Sequence, residues 1–598
     1  MYKAILKSWH LWSLVLFLLP AQVFSLTVTR VVADKLLYDT GETVTVSVTV
    51  TNALDSEQTG ELTFRLVWEI DEGVTLKKET VILKPKEAKI LTCTWQSTEV
   101  LGCEARAELA QDGKIISSGQ DLFNVVDPKD AQRVSITGCG AYCNFGENYG
   151  NLPDPHIGLA PKAEEWRGEY IWATREMLRK VCRNPRGIKI LCYTICATYH
   201  SMGDNYYLRH PDKVLYTEVQ HTTQVSVKNF DFDARLALPF HRVYGNTGCT
   251  MRFALNFADP EVMDFLCNMI IESKKIFDWA GVRFDGHYLL APWAGTCTFD
   301  GKVFSEKDCE AINKKNTQLT KDRVWKAYPN FLFYYNGAPY EEKGPGAESP
   351  DMAEMYSRGS TCGCEMGRNV ADPNNPFNKW SEAYQRMVLG VNSARKYGGY
   401  YSYIVPYIWE HKNPKLDRYT YAMLFATGGH PWFAVAVPRP DIFPKDPEAG
   451  CRNVIPFFKM ATRYSAILWG KGITRVPDAE RWITVKAPGN KEMWWKQTVD
   501  TRTTLGGKKI VTVNIVNKPP SEMNMGAKQE LPEPAKDVEV SFTPKDGQKV
   551  VKAWNIWAQP EATPDMGCDE LPVKAEGGKY TVTVPVIECA RTVVAQVQ

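Results

Sequence analysis

The 598-residue chain lacks the features that mark nucleic-acid-binding and membrane-spanning proteins. Its 71 Lys and Arg residues balance 69 Asp and Glu residues, so the formal net charge is only +2. Nucleic-acid and membrane-surface partners favour a strongly basic patch or tail, which this balance does not suggest. No segment after residue 25 is apolar for the roughly 20 residues that a membrane-spanning helix requires. We therefore expect no nucleic-acid partner and no membrane span in the mature chain.

Common cofactor and nucleophile motifs are also missing. No glycine-rich phosphate turn follows the first predicted parallel strand, and no GxSxG elbow lies on a strand-to-helix turn. The 16 cysteines lack the spacing and the His partners of zinc sites, so we interpret them as disulfides or buried thiols. Three close pairs stand out: Cys139 with Cys143, Cys192 with Cys196, and Cys362 with Cys364. We expect neither a metal nor another cofactor.

Residues 1–25 are typical of an export signal. Lys3 and Lys7 precede a short apolar run over 11–19, and the small or short residues at 21–25 offer a cleavage site. An uncleaved anchor is the alternative, but the apolar run is shorter than a membrane span. We predict a signal peptide and a secreted or periplasmic protein.

Both ends of the mature chain alternate apolar and polar residues, as half-buried antiparallel strands do. The clearest example, 43–50, follows a turn signal at 39–41. We predict an immunoglobulin-like β-sandwich over 26–127 and a C-terminal β-sandwich over 471–598.

Between them, residues 128–470 alternate short apolar strands with helical segments, a pattern typical of βα units. Eight strands over about 300 residues predict a central (β/α)8 TIM barrel, with a doubly wound open sheet as the alternative. Helices are predicted at 163–182, 260–277 and 309–327. The predicted strands are 134–139, 188–194, 251–256, 282–285, 331–335, 352–356, 400–405 and 423–427.

Asp285 is the first candidate catalytic residue, because barrel enzymes place their chemistry at the carboxyl ends of the strands. It ends an apolar strand and precedes a glycine. Arg283 lies two residues earlier on the same side of the strand and would keep the carboxylate ionised, as a nucleophile requires. A structural Asp–Arg pair is the alternative interpretation.

Glu354 is the candidate general acid/base, since it lies among apolar neighbours on the predicted sixth strand. Glu365 and Glu410 are the alternatives. Glycoside hydrolysis requires two carboxylates, about 5–5.5 Å apart in retaining enzymes and about 6.5–9.5 Å apart in inverting ones. The sequence therefore predicts a glycosidase with Asp285 as nucleophile.

Three segments, 284–286, 333–337 and 353–356 (FDG, FYYNG and AEMY), resemble strands four, five and six of the dextranase-type glycoside hydrolase family 66. The resemblance implies an Asp nucleophile after strand four and a Glu acid/base after strand six. The chain departs from this family after Asp285, where His287 is followed by Tyr-Leu-Leu and not by a further Asp. The 281–285 segment also resembles α-amylase-type enzymes, which carry a Glu after strand five where this chain has Asn336.

We predict a secreted glycoside hydrolase or transglycosylase of retaining mechanism, with a carbohydrate as its partner. The alternative is a non-catalytic carbohydrate-binding or cell-surface protein on a degenerate barrel. Beside the catalytic pair, the residues predicted to contact substrate are Arg283, His287, Asn336, Tyr142, Trp293, Trp409, Glu410 and His430.

Overall fold

The computed structural model describes most of the chain after the predicted signal peptide. The described residues are 26–139, 152–154, 186–195, 211–213, 215–217, 255–285, 290–292, 294–298, 300–336, 352–364, 379–405, 414–434, 455–520, 531–544, 547–559 and 565–598. No helix within these ranges has the length and apolar character needed to cross a membrane.

The amino-terminal strands form two sheets that share one core. Their bounds are β1 Leu26–Ala33, β2 Leu37–Asp39, β3 Thr43–Asn52, β4 Gln58–Trp68, β5 Glu72–Leu83, β6 Ala88–Gln96, β7 Val100–Gln111 and β8 Lys114–Val126. One sheet has the order β1-β3-β6 and the other β2-β8-β7-β4-β5. The alternation at 43–50 is confirmed, since every second residue from Val44 to Val50 is buried in this core.

The middle of the chain alternates strands and helices. A 3-10 helix at Pro128–Val134 leads to strands β9 Thr137–Cys139, β10 Leu152–Asp154, β11 Leu191–Ile195, β12 Tyr216–Thr217, β13 Gly281–Asp285, β14 Thr296–Cys297, β15 Leu332–Asn336, β16 Thr361–Cys364, β17 Tyr400–Val405 and β18 His430–Ala434. The helices are α1 Pro260–Phe277, α2 Glu306–Ala327, α3 Met352–Tyr356, α4 Trp380–Lys396, α5 Pro414–Thr427, α6 Ile455–Arg463 and α7 Ser465–Trp469.

Eight of these strands form one sheet in the order β10-β9-β18-β17-β16-β15-β13-β11. Every neighbouring pair in this order is parallel. The two end strands, β10 and β11, also contact each other, so the sheet curls back on itself. Helices α1, α4 and α5 supply the buried apolar layer on its outer face.

Helix α1 spans the predicted residues 260–277. Asp259 caps its first turn by accepting a hydrogen bond from the backbone N–H of Glu261, and Pro260 occupies the first helical position, where a missing N–H costs nothing.

Two predicted strands are wrong. Residues 352–356 form the one-turn helix α3, and the strand of this unit is β16, which begins five residues later. Residues 423–427 are the last turn of α5, and the strand begins at His430 after Gly428 and Gly429. The predicted helix 163–182 and most of the predicted strand 251–256 lie outside the described residues.

The carboxy-terminal strands again form two sheets with a common core. Their bounds are β19 Thr474–Arg475, β20 Ile483–Lys486, β21 Met493–Trp494, β22 Val499–Thr503, β23 Lys509–Asn517, β24 Ala535–Phe542, β25 Val550–Gln559, β26 Asp565–Leu571, β27 Lys574–Glu576, β28 Lys579–Ile587 and β29 Ala590–Val597. The larger sheet has the order β19-β22-β23-β29-β25-β26, with β21 pairing β23, and the smaller has the order β20-β24-β28-β27.

A buried arginine joins the amino-terminal sheets to the helices that follow the parallel sheet. The Arg463 side chain is 3% exposed, and its Nε lies 2.9 Å from Glu104 Oε2. Its Nη1 donates hydrogen bonds to the carbonyls of Glu69 at 2.7 Å and Gly102 at 3.1 Å. A second buried pair, Arg502 with Glu69, links the same turn of the amino-terminal sheets to the carboxy-terminal sheets. The three parts of the chain therefore meet around paired buried charges.

Candidate active site

The carboxyl ends of the parallel strands lie at one edge of the curled sheet. Asp285 is the last residue of β13 and pairs in register with Ile195, the last residue of β11. On the other side of β13 lies β15, where Asn336 is the last residue and pairs with Gly363 of β16. Asp285 is thus held by its strand at the edge that barrel enzymes use for chemistry.

A positively charged side chain, that of Arg283, lies just below this edge. Arg283 is 2% exposed, and its guanidinium carbon lies 3.7 Å from the centroid of the Trp432 ring. A guanidinium over an aromatic face is attracted by the ring quadrupole, most strongly where water is excluded. The packing therefore fixes a positive charge two residues before Asp285.

Tyr334 and Gly363 complete the packing around Trp432, and neither was predicted. The Tyr334 and Trp432 rings meet edge to face, with centroids 5.4 Å apart. A Cβ on Gly363 would lie 2.5 Å from the Tyr334 hydroxyl oxygen, so only glycine fits opposite that ring. The available signal was the strand alternation that places Tyr334 on the same side as Asn336.

Asn336 is the predicted substrate contact at the carboxyl end of β15. It is 5% exposed and ends β15. An amide can donate to and accept from a sugar hydroxyl, but it cannot serve as an acid or a nucleophile.

Glu354 does not lie on a strand, so its predicted placement on the sixth strand is wrong. It is in α3, on the amino side of β16. Lys321, in the last turns of α2, donates hydrogen bonds from Nζ to the carbonyls of Met355 at 3.1 Å and Ser357 at 3.0 Å. Because α2 ends where β15 begins, this contact places Glu354 at the amino edge of the sheet, opposite Asp285.

His430 is also placed away from the carboxyl edge, since it is the first residue of β18. It is 2% exposed, and its ring stacks on Trp469 with centroids 4.4 Å apart. Its Nε2 donates a 2.8 Å hydrogen bond to the carbonyl of Arg133. His430 is therefore a buried packing residue, away from the carboxyl edge where its substrate contact was predicted.

Burial lowers the pKa of His430 to about 4 from an ordinary value of 6.5. The unfolded chain takes up a proton at this residue between these values while the folded chain does not, so stability falls as pH drops from 6.5 to 4. At about 1.4 kcal/mol per pKa unit, the loss is about 3 kcal/mol. We expect His430→Phe to remove that part of the acid sensitivity, measured by urea unfolding of both proteins at pH 7 and pH 4. An identical pH dependence in the two proteins would contradict the buried neutral imidazole.

The remaining predicted site residues lie outside the described residues: Tyr142, His287, Trp293, Glu365, Trp409 and Glu410. Within the described ranges, no three His, Cys, Asp or Glu side chains group as a metal site requires. Cys362 and Cys364 of β16 are buried.

Comparison with known proteins yields a structural likeness but no sequence relative. No protein-family model and no curated protein matches the chain. A Paenibacillus sp. cycloisomaltooligosaccharide glucanotransferase, solved with cycloisomaltoheptaose, matches at TM-score 0.66 and 10% identity, covering 95% of this chain and 100% of that one.

Two further solved structures match more weakly. Alpha-L-fucosidase isoenzyme 2 from Paenibacillus thiaminolyticus matches at TM-score 0.42 and 10% identity, covering 78% of this chain and 96% of that one. A cyclomaltodextrinase matches at TM-score 0.43 and 9% identity, covering 93% of this chain and 97% of that one. Of these three structures, the glucanotransferase is similar enough to show that the chain shares its overall fold.

Proposed function

We propose that this chain is a carbohydrate-active enzyme that breaks glycosidic bonds by hydrolysis or by transfer to another sugar. The observation that carries the proposal is the position of Asp285 at the carboxyl end of β13, in a parallel sheet with its end strands in contact. The whole-length fold likeness to a glucanotransferase supports the substrate class.

Glu365 replaces Glu354 as the proposed acid/base. It directly follows Cys364, the last residue of β16, whereas Glu354 lies at the other edge of the sheet. Strands β13 and β16 are separated by β15 alone, so their backbones are about 10 Å apart. Asp and Glu side chains can face one glycosidic bond across that distance. Glu410, in the segment after β17, is the alternative.

The proposed chemistry is a double displacement. The Asp285 carboxylate attacks the anomeric carbon while Glu365 gives its proton to the departing oxygen, so the glycosidic bond breaks and an ester forms. Water or a sugar hydroxyl then attacks the same carbon, gives its proton to Glu365 and releases Asp285. The charge of Arg283, held below the edge by Trp432, favours the ionised form of a carboxylate two residues away.

The proposal also covers the domain architecture of the chain, its family and its export. We propose that the parallel sheet closes as a (β/α)8 barrel over 128–470, and that the sheets over 26–127 and 471–598 are β-sandwiches. We also propose membership of the dextranase-type family 66, and export directed by residues 1–25.

The test is release of reducing sugar from a panel of α- and β-linked glycans, beginning with α-linked glucans, by wild type, Glu365→Gln and Glu354→Gln. We expect turnover by wild type, a loss of about 10²–10⁴-fold in Glu365→Gln, and a change within about twofold in Glu354→Gln, which serves as the matched control. A larger loss in Glu354→Gln would return the acid/base role to that residue. Binding of a glycan by wild type without any turnover would favour the non-catalytic alternative.

A further inference from the structure

A long groove runs along the boundary between α4 and the carboxy-terminal sheets. Its volume is about 1390 Å³, and its walls are one face of α4 from Ser381 to Lys396 and parts of residues 473–497. That stretch of helix is about 22 Å long at 1.5 Å per residue. Pockets for small ligands typically enclose about 300–1,000 Å³, so the groove has room for an extended chain molecule.

The groove runs toward the candidate active site. Helix α4 connects β16 to β17, and the helix between two parallel strands runs antiparallel to them. Its first residue, Trp380, therefore lies at the carboxyl edge of the sheet, and Lys396 lies at the opposite edge. A polymer bound at the carboxyl edge can continue along the groove.

Aromatic rings and amides line part of the groove. The half-buried Trp494 stacks on Tyr384 of α4, with centroids 5.0 Å apart and planes 27° apart. Nearby, Gln385 donates a 2.7 Å hydrogen bond to Gln497 at the exposed rim. An aromatic face beside amides offers both the apolar and the polar contacts that a sugar ring can use.

The groove also carries an excess of positive charge. Lys486 and Lys496 are exposed, and neither has an ion-pair partner among the described residues. Lys491 donates a hydrogen bond to the backbone carbonyl of Glu533. This partner is neutral, so it does not compensate the charge of the lysine.

The carboxylates of the groove are largely neutralised from outside it. Asp478 pairs with Arg481 at 3.0 Å, and Glu492 pairs with Lys518 at 2.6 Å. Glu480 also lines the groove, and it has no ion-pair partner in the part of the chain that the structure describes. The lysine charges are therefore available to a ligand.

Two arginines share one carboxylate at the bottom of the groove. Arg395 Nη1 and Arg475 Nε lie 2.8 Å and 3.0 Å from Asp500 Oδ1. The Asp500 side chain is 8% exposed. Two guanidinium groups around one carboxylate leave a net positive charge. The bottom of the groove therefore adds to the positive electrostatic potential of the lysines.

We propose that this groove is a second binding site, which takes an anionic oligosaccharide. The carboxylate or sulfate groups of the glycan contact Lys486 and Lys496, and one sugar face lies on Trp494. The inference rests on the proposed function for its ligand class, and it extends that function by a site outside the catalytic edge.

The test measures binding by titration calorimetry with the Asp285→Asn chain, which the proposed function expects to hold a glycan without cleaving it. The probes are an oligogalacturonate for carboxylates, a chondroitin sulfate oligosaccharide for sulfates, and a neutral isomaltooligosaccharide. We expect an anionic probe to bind, and Lys486→Ala/Lys496→Ala in the same chain to raise its Kd at least about tenfold. Binding of the oligogalacturonate would indicate recognition of carboxylates, and binding of the chondroitin sulfate oligosaccharide would indicate recognition of sulfates.

The matched control is Lys574→Ala/Lys579→Ala, which removes two exposed lysines, one on the edge strand β27 and one at the start of its neighbour β28, on the side of the smaller sheet away from β20. We expect its Kd to stay within about twofold of the parent. Failure of both anionic probes to bind, binding of the neutral probe alone, or equal affinity in the two double variants would overturn the proposal. Binding is scored without cleavage, so these outcomes are separate from the failure of wild type to turn over any glycan.

Discussion

Asp285→Asn is expected to lower kcat/KM for glycan cleavage by at least about 10⁴-fold. Asparagine has nearly the same shape as aspartate but cannot carry the negative charge that attacks the anomeric carbon. The strand itself should persist, because β13 is held by register pairs to β11 and β15 along its length. The measurement is initial rates of reducing-sugar release on the best glycan of the panel, with circular dichroism to verify folding.

Asp278→Asn is the matched control for this variant. Asp278 lies seven residues earlier, at the carboxyl end of α1, where its side chain is 95% exposed. Its backbone φ of 53° is left-handed, a conformation that asparagine tolerates well. We expect its activity to stay within about twofold of wild type. A comparable loss of activity in both variants would mean that Asp285 has no special role.

Arg463→Met is expected to lower the free energy of unfolding by about 3–5 kcal/mol. Methionine fills the space of the arginine stem but leaves the buried carboxylate of Glu104 without its main partner. Burial alone would raise the pKa of Glu104, but the guanidiniums of Arg463 and Arg106 hold it below its ordinary value, so the group is ionised and needs a counter-charge. The carbonyls of Glu69 and Gly102 would also lose their donor.

Urea unfolding measures this loss, with Arg481→Met as the control. Arg481 forms an exposed ion pair with Asp478, its side chain being 79% exposed, and such pairs contribute about 0–1 kcal/mol. Adding Glu104→Gln to Arg463→Met should recover part of the stability, because it removes a buried carboxylate that would then be paired with the half-buried Arg106 alone. A loss below about 1 kcal/mol in Arg463→Met would contradict a role for this residue in holding the parts of the chain together.

The sequence predicted helices and strands well where their boundary residues and their hydrophobic periodicity agree. Helix α1 was predicted with its observed bounds, because Pro260 marks its start and eighteen residues carry a helical pattern. Strand β17 was predicted with its observed bounds at 400–405. Longer patterns of this kind leave little room for a competing assignment.

Short apolar runs were predicted wrongly, with consequences for the site. Five residues of MAEMY fit a strand as well as a helical turn, so their period does not distinguish the two. The contact that holds this turn comes from Lys321, more than thirty residues away, which local sequence does not reveal. The same ambiguity assigned 423–427 to a strand, although Gly428 and Gly429 mark the helix end. Glu354 and His430 were consequently expected at the wrong edge of the sheet.

The arrangement around Arg283 was only partly predictable. Its position two residues before Asp285 follows from strand alternation, but its stacking on Trp432 joins two strands that are distant in sequence. The groove between α4 and residues 473–497 likewise depends on how separate parts of the chain pack. Contacts of this kind have no local signal.

The most direct measurement is covalent trapping of the enzyme with an activated fluoro-glycoside matched to the preferred glycan, followed by peptide mass spectrometry. A retaining mechanism forms a glycosyl ester on the nucleophile, and a fluorine substituent slows its hydrolysis so that it accumulates. We expect the added mass on the peptide that contains Asp285, and no added mass in Asp285→Asn. A label on another carboxylate, or cleavage with inverted configuration and no label, would contradict Asp285 as the nucleophile.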